Sequence, residues 1–354
     1  MTAPARRRID LAPITQWITA AALAHPDDLP AHLMQRLGIS RRRAGRLLDQ
    51  LVAAQWLHST GTPRRPHHRP GALRQVVMRY PLAGLQEDAP WRRDFAPCFA
   101  LPAEVERMAR HAFTELVNNA IDHSGGENVT VSMRQTPLQL QLLVSDDGIG
   151  LFERIDQSFA IDEPALAMLE LSKGKLTSAP DWHSGHGLFF TSRLADVFDL
   201  HANAVSFQCR GWQRQRWVAQ PPTAALRGRP GTSIYLAISL DTTRTLDAVL
   251  RECSLQRDGY AFECTRVPLQ LLAGGPGRDS ALVSRAEARR VASRLAQFRR
   301  AELDFSGIDE IGHGFADELF RVTTREHPNV ELVPLAASAQ VAAMIAAVQA
   351  VPRR

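Results

Sequence analysis

Apolar positions recur with a helical period in three blocks near the amino end. Ile14–Ala24 predicts a first helix, Leu29–Leu37 a second, and Arg41–Trp56 a third with Ala44, Leu47, Leu48, Leu51 and Val52 as its buried stripe. Gly38-Ile39-Ser40 reads as a tight turn in which Ser40 caps the third helix. Leu73–Tyr80 has the pattern of a strand, and the proline-spaced stretch 81–100 predicts a linker. Beyond it, His111–Ile121 predicts a helix whose apolar side continues Ala109 through Ala112, Leu116 and Ala120. A strand over Leu138–Val144, a helix over Leu188–Val197 and a strand over Ser233–Ala237 follow. The carboxyl-terminal part then alternates: strand Tyr260–Leu272, helix Ser284–Arg299, strand Ala301–Phe305, helix Gly312–Val322, strand Val330–Val333, helix Ser338–Val348. Strands alternating with helices argue for a small α/β domain.

Four polar motifs sit on the middle elements. Glu115 and Asn119, four residues apart, share one face of the His111–Ile121 helix. Asn119 can offer an amide oxygen to a hard cation such as Mg²⁺, and Glu115 can polarise a water. Asp146 ends the Leu138–Val144 strand, where a carboxylate can accept from an adenine amino group, and Gly148 and Gly150 let the backbone turn tightly behind it. Gly185-His186-Gly187-Leu188 opens a helix, so free N–H groups there can hold phosphate. Gly231-Thr232 opens the Ser233–Ala237 strand. Each fragment alone is an ordinary turn or helix start. Together, in this order, they resemble the Bergerat-fold ATPases: type II topoisomerases, mismatch-repair ATPases, heat-shock chaperones, sensor histidine kinases and anti-sigma-factor kinases. The resemblance implies ATP and Mg²⁺ as ligands, with Thr232 supporting the adenine pocket. It also implies an ATP lid over Leu169–Ser178. That lid holds Lys173 and Lys175, the chain's only two lysines, expected as phosphate contacts because a compact ammonium suits a point contact. His183 and His186 flank the glycine pair; His183 reads as a surface residue.

Charge sharpens the picture at the amino end. The chain of 354 residues carries a net charge of +5, yet residues 1–80 hold thirteen arginines against four aspartates, leaving a negative remainder. A basic end on an acidic body points to a polyanion. Ser40, Arg41, Arg42, Arg43 and Arg46 head the third helix, and Arg64 and Arg65 lie in the Gly-, Pro-, Arg- and His-rich stretch Ser59–Pro70. This arrangement resembles a winged helix-turn-helix, which implies duplex DNA as a partner of residues 1–80. A protein-docking winged helix, and so a regulatory protein partner, is the other reading.

The tail run Leu303-Asp304-Phe305-Ser306-Gly307, then Phe315–Phe320, resembles a STAS-like domain of unknown function and, more distantly, the anti-sigma antagonist fold. The turn Ile311-Gly312-His313-Gly314-Phe315 lacks the Ser or Thr that a phospho-switch needs. No apolar run reaches a membrane span, and the four scattered cysteines suit a reducing cytoplasm. The expected architecture is therefore multidomain α/β and α+β. It has a winged helix (1–80), a linker (81–100), a Bergerat-fold α/β sandwich (101–242) and a small STAS-like α/β domain (243–354). The expected function is a cytoplasmic ATP-responsive DNA-binding regulator. An anti-sigma-type serine/threonine kinase, a protein-docking regulator and a scaffold that holds its nucleotide for structure are the alternatives.

Overall fold

The computed structural model describes residues 9–62, 65–176, 185–213, 216–222, 226–256, 259–273 and 282–350. The chain divides into two compact units, residues 1–148 with 233–243, and residues 149–232 with 244–354.

The first unit opens with α1 (Ala12–Thr15), α2 (Ile18–Ala24), α3 (Leu29–Leu37) and α4 (Arg41–Ala53). One long helix was expected over Ile14–Ala24. It breaks at Gln16 because that carbonyl accepts from the Val77 amide of a neighbouring strand, 3.0 Å away. Gly38, at φ 61°, ends α3 in the left-handed conformation that glycine tolerates. Ser40 then caps α4, its hydroxyl accepting from the Arg43 amide. Ile18, Leu29, Leu33, Leu47, Leu51 and Trp56 bury each other beneath these helices. Next comes an antiparallel hairpin, β1 (Leu57–Thr62) and β2 (Arg65–Pro70). The His68 amide donates to the Pro26 carbonyl at 2.7 Å, tying the hairpin to the turn before α3.

β3 (Arg74–Pro81), β4 (Asn128–Gln135), β5 (Gln139–Asp146) and β9 (Thr232–Ser239), numbered along the chain, make antiparallel ladders with Val76 opposite Met133, Val131 opposite Val144, and Leu142 opposite Leu236. α5 (Ala103–His123) covers one face with Met108, Ala112, Phe113, Leu116 and Ala120. The segment expected as a linker is folded: Trp91 and Phe95 are buried with ring centroids 5.4 and 5.0 Å from Phe113. Apolar burial of two large rings outweighs the linker-like proline content.

The second unit holds α6 (Leu151–Phe159), α7 (Pro164–Lys173), α8 (Gly187–Leu194) and the antiparallel meander β6 (Val197–Ala202), β7 (Val205–Arg210), β8 (Arg216–Gln220). After α9 (Leu246–Arg251), three parallel strands follow: β10 (Cys264–Pro268), β11 (Arg300–Asp304) and β12 (Glu331–Leu335). Their crossovers carry α10 (Gln270–Ala273), α11 (Arg285–Ala292), α12 (His313–Asp317), α13 (Thr324–Glu326) and, beyond the last strand, α14 (Ala339–Gln349). The single strand expected over Tyr260–Leu272 is shorter, ending at Pro268, and the chain turns into α10 at Gln270. Ser284 and Ser338 cap α11 and α14, Ser284 within a full capping box.

Candidate functional site

The candidate residues fall on both units. On the first, Glu115 and Asn119 lie half-buried along α5, beside the buried stripe of Leu116 and Ala120. Among the described residues neither side chain makes a hydrogen bond. Glu115 instead faces His111, whose imidazole burial holds below its ordinary value although the carboxylate opposes the shift. Asn119 therefore has an uncommitted amide oxygen, the donor type a hard cation takes.

Asp146 ends β5, buried, and its Oδ1 accepts from the Gly148 amide at 3.0 Å. Asp147 beside it does a different job. Its Oδ1 accepts from the Glu127 and Asn128 amides at 2.9 and 2.8 Å, and its Oδ2 from Asn128 Nδ2 and Arg79. Those bonds, the Asn128 amide first, hold its carboxyl below the usual range. Backbone packing then fixes Gly148: a Cβ there would sit 2.2 Å from the Ser124 carbonyl oxygen. Nothing but glycine fits, so the turn after Asp146 presents bare backbone.

On the second unit, Gly150 stands at φ 93° before α6, and a Cβ would meet the Asn203 side chain at 2.6 Å. Asn203 donates through Nδ2 to the Ile149 carbonyl (2.8 Å) and accepts from the Gly231 amide through Oδ1 (3.2 Å). One asparagine thus links two glycine motifs that the sequence places some eighty residues apart, and Thr232 follows directly to open β9. Nothing in the sequence singled Asn203 out, apart from its place between two apolar strands as a residue that tolerates the left-handed turn it adopts, φ 53°.

Gly185 (φ 68°) packs against the backbone of Leu176, and Gly187 begins α8, with Leu188 half-buried in its first turn. His186 precedes the helix with its ring edge-on to Phe190 and Phe262, centroids 6.0 and 4.8 Å away. Burial, with Lys175 nearby, lowers its pKa to about 4. It is a neutral packing group near pH 7, and does not supply charge to a phosphate in this conformation.

The lysines depart from the expected phosphate contacts. Lys173 is fully buried; its Nζ meets Glu170 Oε1 at 2.5 Å and donates to the Ser293 and Arg290 carbonyls at 2.9 and 3.2 Å. Arg294 closes the cluster on Glu170 Oε2 at 3.1 Å. Burial pushes the Lys173 ammonium below the ordinary lysine value, with Glu170 opposing. Lys175 donates to the Gln297 carbonyl at 2.7 Å and lies over the Phe298 ring. Both ammoniums are committed to the segment before β11, because desolvated charge needs close partners and those carbonyls provide them. Thr177, Ser178 and His183 lie outside the described residues.

At the amino end Arg41, Arg42, Arg43 and Arg46 are all exposed on α4, as are Ser40 before it and Arg65 and Arg69 on β2; Arg64 lies outside the described residues.

The first unit carries the marks of a nucleotide-binding class: an uncommitted amide on a helix, a buried strand-end carboxylate, and a turn after it closed to any side chain. Residues 104–240 match the family of histidine kinase-, DNA gyrase B- and HSP90-like ATPases, so the chain contains an ATP-binding domain of that type. Residues 287–342 match a STAS-like domain of unknown function. No curated protein matches the chain. Among the described residues no helix is long and apolar enough to cross a membrane.

Proposed function

We propose that the protein is an ATP-responsive DNA-binding regulator in which residues 1–80 form a winged helix-turn-helix. One observation carries the coupling: β3 belongs to two structures at once. Its Gln75 and Val77 amides donate to Thr19 Oγ1 and the Gln16 carbonyl of the helical module, at 3.1 and 3.0 Å. The same strand pairs along its length with β4, and Arg79 reaches Asp147, next to Asp146, at 3.3 Å. A change at the adenine-side carboxylate is therefore linked through Asp147, Arg79 and β3 to α1 and α2, which share their buried core with the arginine-bearing α4.

In this reading Asp146 accepts from adenine, Asn119 supplies a Mg²⁺ oxygen ligand and Glu115 aligns a water. Gly148, Gly150 and Thr232 line the nucleotide, and the Gly185–Gly187 turn offers N–H groups to phosphate. Bound Mg²⁺ would neutralise phosphate charge. Ser40 and the arginines of α4 enter the major groove, while the β1–β2 hairpin with Arg64 and Arg65 contacts phosphates. Fluorescence anisotropy on duplex DNA tests this. Affinity should fall steeply with salt, and Arg65→Ala should flatten the slope by roughly one unit while weakening all sequences alike. If no duplex binds at low salt and labelled phosphate from ATP appears on a partner protein instead, the chain is a kinase with a docking module.

A further inference from the structure

Within the second unit, a cavity of about 370 Å³ opens beside α8 and the parallel strands, where Arg193, Arg266 and Arg300 converge with Glu252 and Glu302. Arg193 is the unusual member. It is only 9% exposed, its guanidinium lies 3.4 Å above the Phe189 ring, and its one hydrogen bond, to the Phe189 carbonyl, is long at 3.4 Å. Among the described residues no carboxylate lies within 4.0 Å of it. Glu252 in the cavity wall attracts it without coming within ion-pair distance, so this buried charge is only partly answered.

The other two guanidiniums are also incompletely matched. Arg266 stands 3.6 Å from Asp304, and Arg300 3.5 and 3.7 Å from Glu302 and Glu331, all beyond hydrogen-bond reach. The Nε atoms of both are buried without a hydrogen bond, although Arg266 Nε faces Asp304 as an ion pair. Three planar donors with open hydrogen-bonding capacity around one cavity match the geometry of carboxylate or phosphate oxygens. Its size is that of a small-metabolite site.

We propose that this cavity binds a small oxyanion-bearing metabolite, its carboxylate or phosphate group held by Arg193, Arg266 and Arg300. Glu252 and Glu302 accept from hydroxyl groups on the remainder of the ligand. None of the residues lining the cavity is among those assigned to ATP, so ATP binding is not needed to see it.

The full-length chain is titrated by calorimetry at low ionic strength with inorganic phosphate and, separately, with succinate. Binding is also read by the alkylation rate of Cys264, which lines the same cavity. At least one probe should saturate, slow Cys264 alkylation severalfold, and do so equally in Asn119→Ala. Arg300→Gln should weaken that probe about tenfold. Arg266→Gln, checked for folding by circular dichroism, should do the same. The phosphate and succinate arms distinguish the two oxyanion sources. The proposal is overturned if neither probe saturates, if both Arg variants bind as tightly as the wild type, or if bound probe leaves Cys264 alkylation unchanged.

Discussion

Lys173→Met tests whether the second unit depends on its buried charge cluster. The substitution keeps the length of the side chain and removes an ammonium with bonds to Glu170, Ser293 and Arg290. Breaking a buried pair from one side costs about 3–5 kcal/mol when the remaining charge is stranded. Glu170 is not stranded, because Arg294 still reaches it at 3.1 Å. The two carbonyls lose a charged donor, each worth on the order of 1 kcal/mol. About 3 kcal/mol is the expected total. In a unit spanning residues 149–232 and 244–354, that corresponds to a fall in Tm of roughly 6–12 °C. Removing the carboxylate as well, in Lys173→Met with Glu170→Leu, should restore part of the loss, since the coupled pair leaves together. The assay is thermal and urea unfolding by circular dichroism, paired with ATP calorimetry on the folded variant. ATP affinity should stay within about twofold of the wild type. Unchanged stability together with a tenfold or greater loss of ATP affinity would return Lys173 to the phosphates.

Three further outcomes follow from the geometry. His186 keeps a folded pKa of about 4 against an ordinary 6.5, so the unfolded chain takes up a proton that the fold refuses between those values. Its stabilising contribution is whole above pH 6.5, is lost as the pH falls towards 4, and falls no further below; His186→Phe should flatten that acid limb in urea titrations at pH 7 and pH 5. Gly148→Ala forces a Cβ to 2.2 Å from a carbonyl oxygen, so ATP binding should fall at least tenfold by calorimetry, while Gly38→Ala leaves it alone. Asn119→Ala should weaken Mg²⁺-dependent ATP binding about tenfold, whereas Glu115→Gln should spare affinity and lower any phosphate release about a hundredfold.

Local features were legible in the sequence because their partners are near in the chain. Ser40 caps its helix through the amide three residues on, and Gly38 closes its own turn. The Glu115–Asn119 pair and the Asp146 turn were legible for the same reason. Lys173 was not, because its carbonyl partners lie 117 and 120 residues away. Asp146 and Asp147 are chemically identical neighbours, and only the direction of each carboxylate separates a buried strand-end acceptor from the clamp on Glu127 and Asn128. Pattern also misread 81–100, where proline spacing suggested a tether but Trp91 and Phe95 found the Phe113 ring.

The central claim is that ATP and DNA bind to one coupled system. Duplex anisotropy titrations with and without saturating ATP and Mg²⁺, matched by ATP titrations with and without duplex, measure that coupling from both sides. ATP should change DNA affinity about fivefold or more, DNA should change ATP affinity by the same factor, and Asp146→Asn should abolish both effects. Superimposable DNA titrations in the presence and absence of bound ATP would contradict it.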